Sequence, residues 1–256
     1  MSKYSSIIGS FLIFFLSCSN EEQIKKLELN IAVAANAQQP LEVIADLFME
    51  ENDTIQVNVI SSSSGKLSTL IQQGAPYDFF FSANELYPRF LQSKDLIIGK
   101  PITYAYGKLI LWSTQYELDA TNWQDKIRAS RSIAIANPEL APYGGESVRF
   151  LDNSGLLNQV SGKLIYGEHI SQTNQYIASG ASEIGITAKS AIHQVKGDNK
   201  GSWWSIPDSL YQPIVQSYVM TQYGGEQHEA ACNLFNTFLK QEKVKQVFRD
   251  FGYGAN

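Results

Sequence analysis

From residue 27 onward the chain alternates between two hydrophobic periods. Short apolar runs, "LELNIAVAA" (27–35), "TIQVNVI" (54–60) and "YDFFFSA" (77–83), read as strands. Each is followed by helical spacing: "PLEVIADLFMEEN" (40–52), "GKLSTLIQQG" (65–74, closed by Gly74) and "NELYPRFLQSK" (84–94). The strands are apolar at nearly every position, as expected when helices cover both faces of a parallel sheet. A long β-rich run, "ITYAYGKLILWST" (102–114), then leads into a second α/β set. That set comprises "SIAIAN" (132–137), a helix near 145–153, "KLIYG" (163–167), a helix near 171–179 and "EIGITA" (183–188). A second β run, "PIVQSYVMTQ" (213–222), precedes two helical segments, 226–241 and 242–250.

Two α/β units joined by two extended segments predict a discontinuous two-domain α/β fold with a cleft between the domains. The expected division is 27–104 plus 221–256 for the first domain and 105–220 for the second. Internal repeats, low-complexity runs and charged linkers are absent from the sequence.

The first eighteen residues stand apart. Lys3 is followed by the apolar stretch "IIGSFLIFFLSC" (7–18) and then by polar "SNEEQ", the layout of a secretory signal and too short to span a bilayer. An exported protein is expected, located in the periplasm or cell envelope. Cys18 after Ser17 resembles the bacterial lipoprotein cleavage site, with Phe15 where leucine is usual. That resemblance implies a lipid on Cys18 and association with the membrane; an ordinary signal peptide with an incidental cysteine is the alternative. Removal of the signal leaves Cys232 alone, on the apolar side of a helical pattern and with no disulfide partner, so it reads as a small core residue.

Composition narrows the function classes. The 256-residue chain is 44% hydrophobic and 18% charged, with a formal net charge of −5, an ordinary globular balance that lacks the basic field of a nucleic-acid binder. Ligands in open α/β sheets bind beyond the carboxyl ends of the strands. The strand-to-helix loops are "AANAQQ" (34–39), "SSSSGK" (61–66), "ANPELAPYGGES" (136–147) and "GEHISQTN" (167–174).

"SSSSGK" is not a phosphate loop, because Ile60 and Leu67 occupy the positions where that motif needs glycine and Ser/Thr. It does offer hydroxyls and free N–H groups at a helix start: Ser63, Ser64 and Gly65 as an anion site, or Ser64 as a plain helix cap. Asn36 can donate from its side-chain amide, and "PYGG" puts Tyr143 and two glycines where backbone can approach a small ligand. The first two loops contain no carboxylate. A fully deprotonated oxyanion has only acceptors and suits such a donor set, whereas phosphate brings a residual P–OH that commonly needs an acceptor.

"IAVAANAQQPLEVIADLF", "SSSSGKLSTLIQQGAPYDFFFSA", "IANPELAPYG" and "FRDFGY" resemble, in order and spacing, the molybdate-binding protein of bacterial ABC importers. The resemblance covers nearly all of the chain after the signal. It implies a two-domain periplasmic-binding-protein fold of type II, molybdate or tungstate held by hydrogen bonds between the domains, no cofactor, and delivery to a membrane permease by a monomer. It also places the anion contacts: Asn36, Ser64, Tyr143 and Ile170, the last two through backbone N–H groups. A fifth position, tyrosine in some members, falls on Ala188 here; either Tyr143 compensates for the missing hydroxyl or the site has one donor fewer.

The remaining candidates carry less. An oxyanion-processing enzyme would need a base beside the loops, and His169 with Glu168 lacks a second catalytic group at suitable spacing. Metal-ligand spacing of His, Cys and Asp is absent, His193 and His228 being scattered. Tyr104, Tyr106 and Tyr143 could serve a ferric-ion-binding relative, and another tetrahedral oxyanion such as sulfate remains open. Trp203 and Trp204 could stack on a sugar or base, or pack in a core.

Overall fold

The protein is described by a computed structural model covering residues 26–194 and 200–254; the expected signal segment and Cys18 lie outside the described residues. The first half contains β1 (Leu27–Ala34), a 3-10 turn (Ala35–Ala37), α1 (Gln38–Glu51), β2 (Ile55–Ser62), α2 (Ser64–Gln72), β3 (Phe79–Ser82), α3 (Leu86–Gln92) and β4 (Ile97–Gly107). The second set runs β5 (Leu109–Ser113), α4 (Trp123–Ala129), β6 (Ile133–Ala136), α5 (Pro142–Asn153), α6 (Leu157–Val160), β7 (Leu164–Gly167), α7 (Ile170–Ala178), β8 (Ile184–Ala188), α8 (Ala191–Gln194) and β9 (Ser202–Ser205). The chain then returns through β10 (Ile214–Thr221), α9 (Gln222–Gln227), α10 (Glu229–Phe238) and α11 (Glu242–Asp250).

Two five-stranded sheets result, ordered β2-β1-β3-β10-β4 and β7-β6-β8-β5-β9. β1 pairs parallel with β2 and β3, and β6 parallel with β7 and β8. The returning strands are antiparallel: β10 to β3 and β4, and β5 to β8 and β9. The consecutive phenylalanines of β3 show why its pattern is unbroken: Phe79 and Phe81 point into one core and Phe80 into another, all at 0% exposure. Phe235 of α10 lies edge-on to both Phe48 and Phe79, at 5.0 and 5.2 Å, fixing the C-terminal helices on the first sheet.

The chain changes sheet at Lys108 and again within 206–213. By strand pairing, β10 belongs with the first sheet, whereas the expected division put most of it in the second domain. Hydrophobic periodicity continues smoothly through both crossovers, so it does not register the change of partner. Gly107 does: a Cβ there would lie 2.2 Å from the Tyr143 hydroxyl and 2.7 Å from the Gln216 amide nitrogen. The expected helix 226–241 is broken at His228, which leaves helical geometry (φ −135°, ψ 33°) and places its ring nitrogen 2.8 Å from the fully buried Asp78. Strand β9 and helices α4 and α6 are short elements that periodicity does not separate from loop.

Cys232 is fully buried on α10, where burial, reinforced by the Asp78 charge, pushes its thiol up to about 12. It is packing, not a nucleophile. Trp204 stacks on Trp123 at 4.8 Å in the second core, and Trp203 projects from the outer edge strand β9, so neither tryptophan faces the cleft.

Candidate anion-binding site

The carboxyl ends of the strands in the two sheets meet at a small cavity of about 10 Å³. From the first unit it is lined by Asn36 and Ser62 to Ser64, and from the second by Tyr143, His169 and Ile170. Wider grooves of about 190 and 290 Å³ lie on the outer side of the first unit, along β4, and receive none of the four strand-to-helix loops. A further groove of about 220 Å³ between the units receives only the 136–147 loop. The small cavity receives all four loops and is the candidate site, of a size for a compact ion rather than a sugar or peptide.

Each lining segment opens a helical turn. Ser64 is the first residue of α2, Tyr143 the second of α5, Ile170 the first of α7, and Asn36 sits in the 3-10 turn after β1. The leading N–H groups of a helix have no acceptor within it, and the helix dipole adds positive potential at that end. Converging helix starts thus make an anion site without any formal positive charge.

The serines do not cap α2. Ser63 occupies the N-cap position but makes no side-chain cap bond, and its hydroxyl is buried without a hydrogen-bond partner. The Ser64 hydroxyl accepts from the Ala83 N–H at 3.0 Å, which leaves its own hydrogen to be donated. An unpartnered buried hydroxyl costs about 1–3 kcal/mol, a cost that a ligand in the cavity would offset. Gly65, by contrast, spends its N–H on the Leu140 carbonyl of the other unit at 2.9 Å and does not line the cavity. Its Cβ would lie 2.9 Å from the Tyr87 hydroxyl and 3.1 Å from Leu140 backbone, so glycine permits this close approach.

Asn36 departs from the sequence reading. Its amide nitrogen donates to Gln216 Oε1 at 3.0 Å and to the Tyr253 hydroxyl at 2.9 Å, using both hydrogens. What Asn36 can offer the cavity is its backbone N–H. The Tyr143 phenol is likewise engaged away from the cavity, accepting from Gln216 Nε2 at 3.2 Å beside Gly107 at the crossover. What Tyr143 can offer the cavity is its backbone N–H, since its hydroxyl is held by Gln216. Ala188 ends β8 paired with Leu109, is 1% exposed and lies outside the cavity lining. The structure thus brings Asn36, Ser63, Ser64, Tyr143 and Ile170 together and leaves Gly65 and Ala188 out.

Sequence reasoning missed the support beneath the site. Gln216, fully buried on β10, accepts from Asn36 and from the Tyr104 hydroxyl at 3.0 Å, which orients its amide nitrogen toward Tyr143. Tyr253 donates to the Asn36 carbonyl at 2.7 Å, and Ser190 of the second unit donates to the same oxygen at 3.1 Å. The available signals were a glutamine inside an apolar strand and the tyrosine that closes "FRDFGY". At the rim, Tyr87 donates to the Glu139 carbonyl at 3.0 Å and Lys66 pairs with Glu168 at 2.6 Å, both across the cleft. The Lys66 hydrogen bond holds the Glu168 carboxyl below its ordinary value.

These contacts decide among the alternatives. A ferric site needs phenolates, yet burial pushes Tyr104 and Tyr143 well above the usual phenol range, and Tyr104 donates its hydroxyl hydrogen to Gln216. Tyr106 lies on β4, paired with Val215 and Gly254. Among the described residues no group of three or more His, Cys, Asp or Glu could hold a metal ion. Glu168 is tied to Lys66 and His169 caps α7, so among the described residues neither is a base paired with a nucleophile at the cavity.

The model of the family described as bacterial extracellular solute-binding protein matches residues 29–254. The chain belongs to that family. Within it, the chain is 35% identical over 230 residues to the molybdate-binding protein ModA of Azotobacter vinelandii, covering 89% of this chain and 90% of the relative. It is also 35% identical over 231 residues to ModA of Rhodobacter capsulatus, covering 88% of each. The solved structure of the Azotobacter vinelandii periplasmic molybdate-binding protein superposes with a TM-score of 0.81 at 32% identity, covering 89% of this chain and 99% of that one. The two units with a cavity between them are accordingly the type II arrangement of a solute-binding protein, a binding protein rather than an enzyme.

Proposed function

We propose that the protein captures molybdate or tungstate outside the cytoplasm and presents it to an ABC permease in the membrane. The observation that carries this reading is a donor-rich cavity: helix starts from both units, the hydroxyls of Ser62, Ser63 and Ser64, and no carboxylate in the lining. Such a site matches an anion with acceptors on every side and offers the P–OH of hydrogenphosphate no carboxylate to accept it, only neutral hydroxyl oxygens. The names of the ModA relatives support molybdate within that class. Asn36, Tyr143 and Ile170 would donate backbone N–H groups, and Ser63 and Ser64 their hydroxyls. Binding would draw the two units together by bending at Gly107–Lys108 and 206–213, the two crossovers between the sheets. The permease would read the closed form of a monomer held to the membrane through lipid on Cys18.

Thermal unfolding tests the reading. At a molybdate concentration one hundred times Kd, linkage adds about 2.7 kcal/mol, a rise of roughly 5–10 °C in Tm for a protein of this size. The same concentration of phosphate is expected to leave Tm unchanged. A phosphate shift as large as that of molybdate, or no shift with molybdate, would contradict the proposal.

A further inference from the structure

His169 occupies the helix-start position before Ile170 and lines the cavity from the second unit. Its Nδ1 accepts from the Gln172 N–H at 3.2 Å, capping α7. A ring nitrogen that accepts carries no proton, so the neutral imidazole must carry its proton on Nε2. Nε2 has no partner among the described residues. The charged groups facing the ring are Glu168 from its own loop and Lys66 from α2, and these two are paired with each other at 2.6 Å. Burial, aided by Lys66 and opposed by Glu168, holds His169 below the ordinary histidine value, which keeps the ring neutral at pH 7.

We propose that His169 is a ligand-binding and specificity-determining residue of this site, its Nε2–H donating to the bound oxyanion beside the Ile170 N–H. The inference rests on the oxyanion reading above and deepens it. Serine, threonine, aspartate and asparagine are the usual N-caps, and they spend a short side chain on the cap. Histidine at this position divides the two tasks between its nitrogens. Because the cap fixes the tautomer, the ring offers the cavity a donor and no acceptor. A ligand oxygen carrying its own hydrogen finds no acceptor on this ring, so His169 favours fully deprotonated oxyanions over hydrogenphosphate.

The test separates the donor from the cap. His169→Ser keeps an N-cap side chain and removes the longer-reaching N–H. It is expected to unfold within a degree or two of the wild type, while its Kd for molybdate rises about tenfold or more, the loss of one hydrogen bond to a charged group. In the wild type labelled with ¹⁵N-histidine, His169 should show only the Nε2-protonated tautomer. On molybdate addition its Nε2 resonance should move and its proton should become slow to exchange. A molybdate Kd in His169→Ser within about twofold of wild type, or a wild-type His169 spectrum unmoved by saturating molybdate, overturns the assignment. A wild type that binds none of molybdate, tungstate or sulfate overturns the oxyanion reading itself, and the two failures are thereby distinct.

Discussion

Gly144→Ala is expected to destabilise the protein by about 3 kcal/mol, the upper end for overpacking, and to weaken molybdate binding about a hundredfold or more. The added Cβ would lie 2.2 Å from the Ala136 carbonyl oxygen, 2.8 Å from the Ala136 carbonyl carbon and 2.9 Å from that of Asn137. All three are backbone atoms at the end of β6, which is buried on both faces and cannot retreat. The start of α5 must move instead, taking with it the Tyr143 N–H at the cavity and the phenol bonded to Gln216. Gly145→Ala is the control, because its Cβ meets nothing nearer than the Pro138 carbonyl oxygen at 3.8 Å. It should bind as wild type does and gain a little stability from helix propensity. Thermal unfolding and calorimetric titration of the two variants check this, and equal behaviour would show that the start of α5 does not position the ligand.

The second large effect separates neighbouring serines. Ser64→Ala removes a donor to the anion and also orphans the buried Ala83 N–H that the hydroxyl accepts at 3.0 Å. Affinity should fall by about 1.5–3 kcal/mol, roughly ten- to 150-fold, with a stability loss of about 1–2 kcal/mol. Ser63→Ala should weaken binding similarly yet leave the ligand-free protein as stable as wild type or slightly more so, since the Ser63 hydroxyl has no partner to lose. Tyr143→Phe should be milder in binding than either serine change, because the backbone N–H remains and only the bond from Gln216 is lost. Titration with molybdate alongside urea unfolding of the ligand-free variants reads both quantities. If Ser63→Ala lowers stability and leaves affinity intact, the serine loop is scaffold and not site.

Much of this architecture was legible because it is periodic. The Phe79–Phe81 run announced a strand buried on both faces, and the loops after β1, β2, β6 and β7 announced the edge at which ligands bind. Side-chain orientation was not legible. Asn36 was read as a donor to the ligand, but its partners Gln216 and Tyr253 lie 180 and 217 residues away, beyond any local spacing. The same long-range closure hid the role of Gln216 and turned the Tyr143 phenol toward the hinge. The crossover at Lys108 was hidden for the opposite reason, since β4 and β5 form one continuous apolar run in sequence and part only when each finds its own sheet. In the sequence His169 stood out only as a base without a second catalytic group; that it caps α7 and lines the cavity shows only in the fold.

The central claim, a donor-rich cavity without carboxylates that favours a fully deprotonated tetrahedral oxyanion, is tested most directly by isothermal titration calorimetry of the wild-type protein with molybdate, tungstate, sulfate and phosphate. About five charge-assisted hydrogen bonds, less the cost of association, predict micromolar to nanomolar binding of molybdate and tungstate. Phosphate is expected to bind far more weakly than either, and sulfate, which is also fully deprotonated, to bind more tightly than phosphate. Phosphate binding as tight as molybdate, or no heat from any of the four anions, would contradict the account.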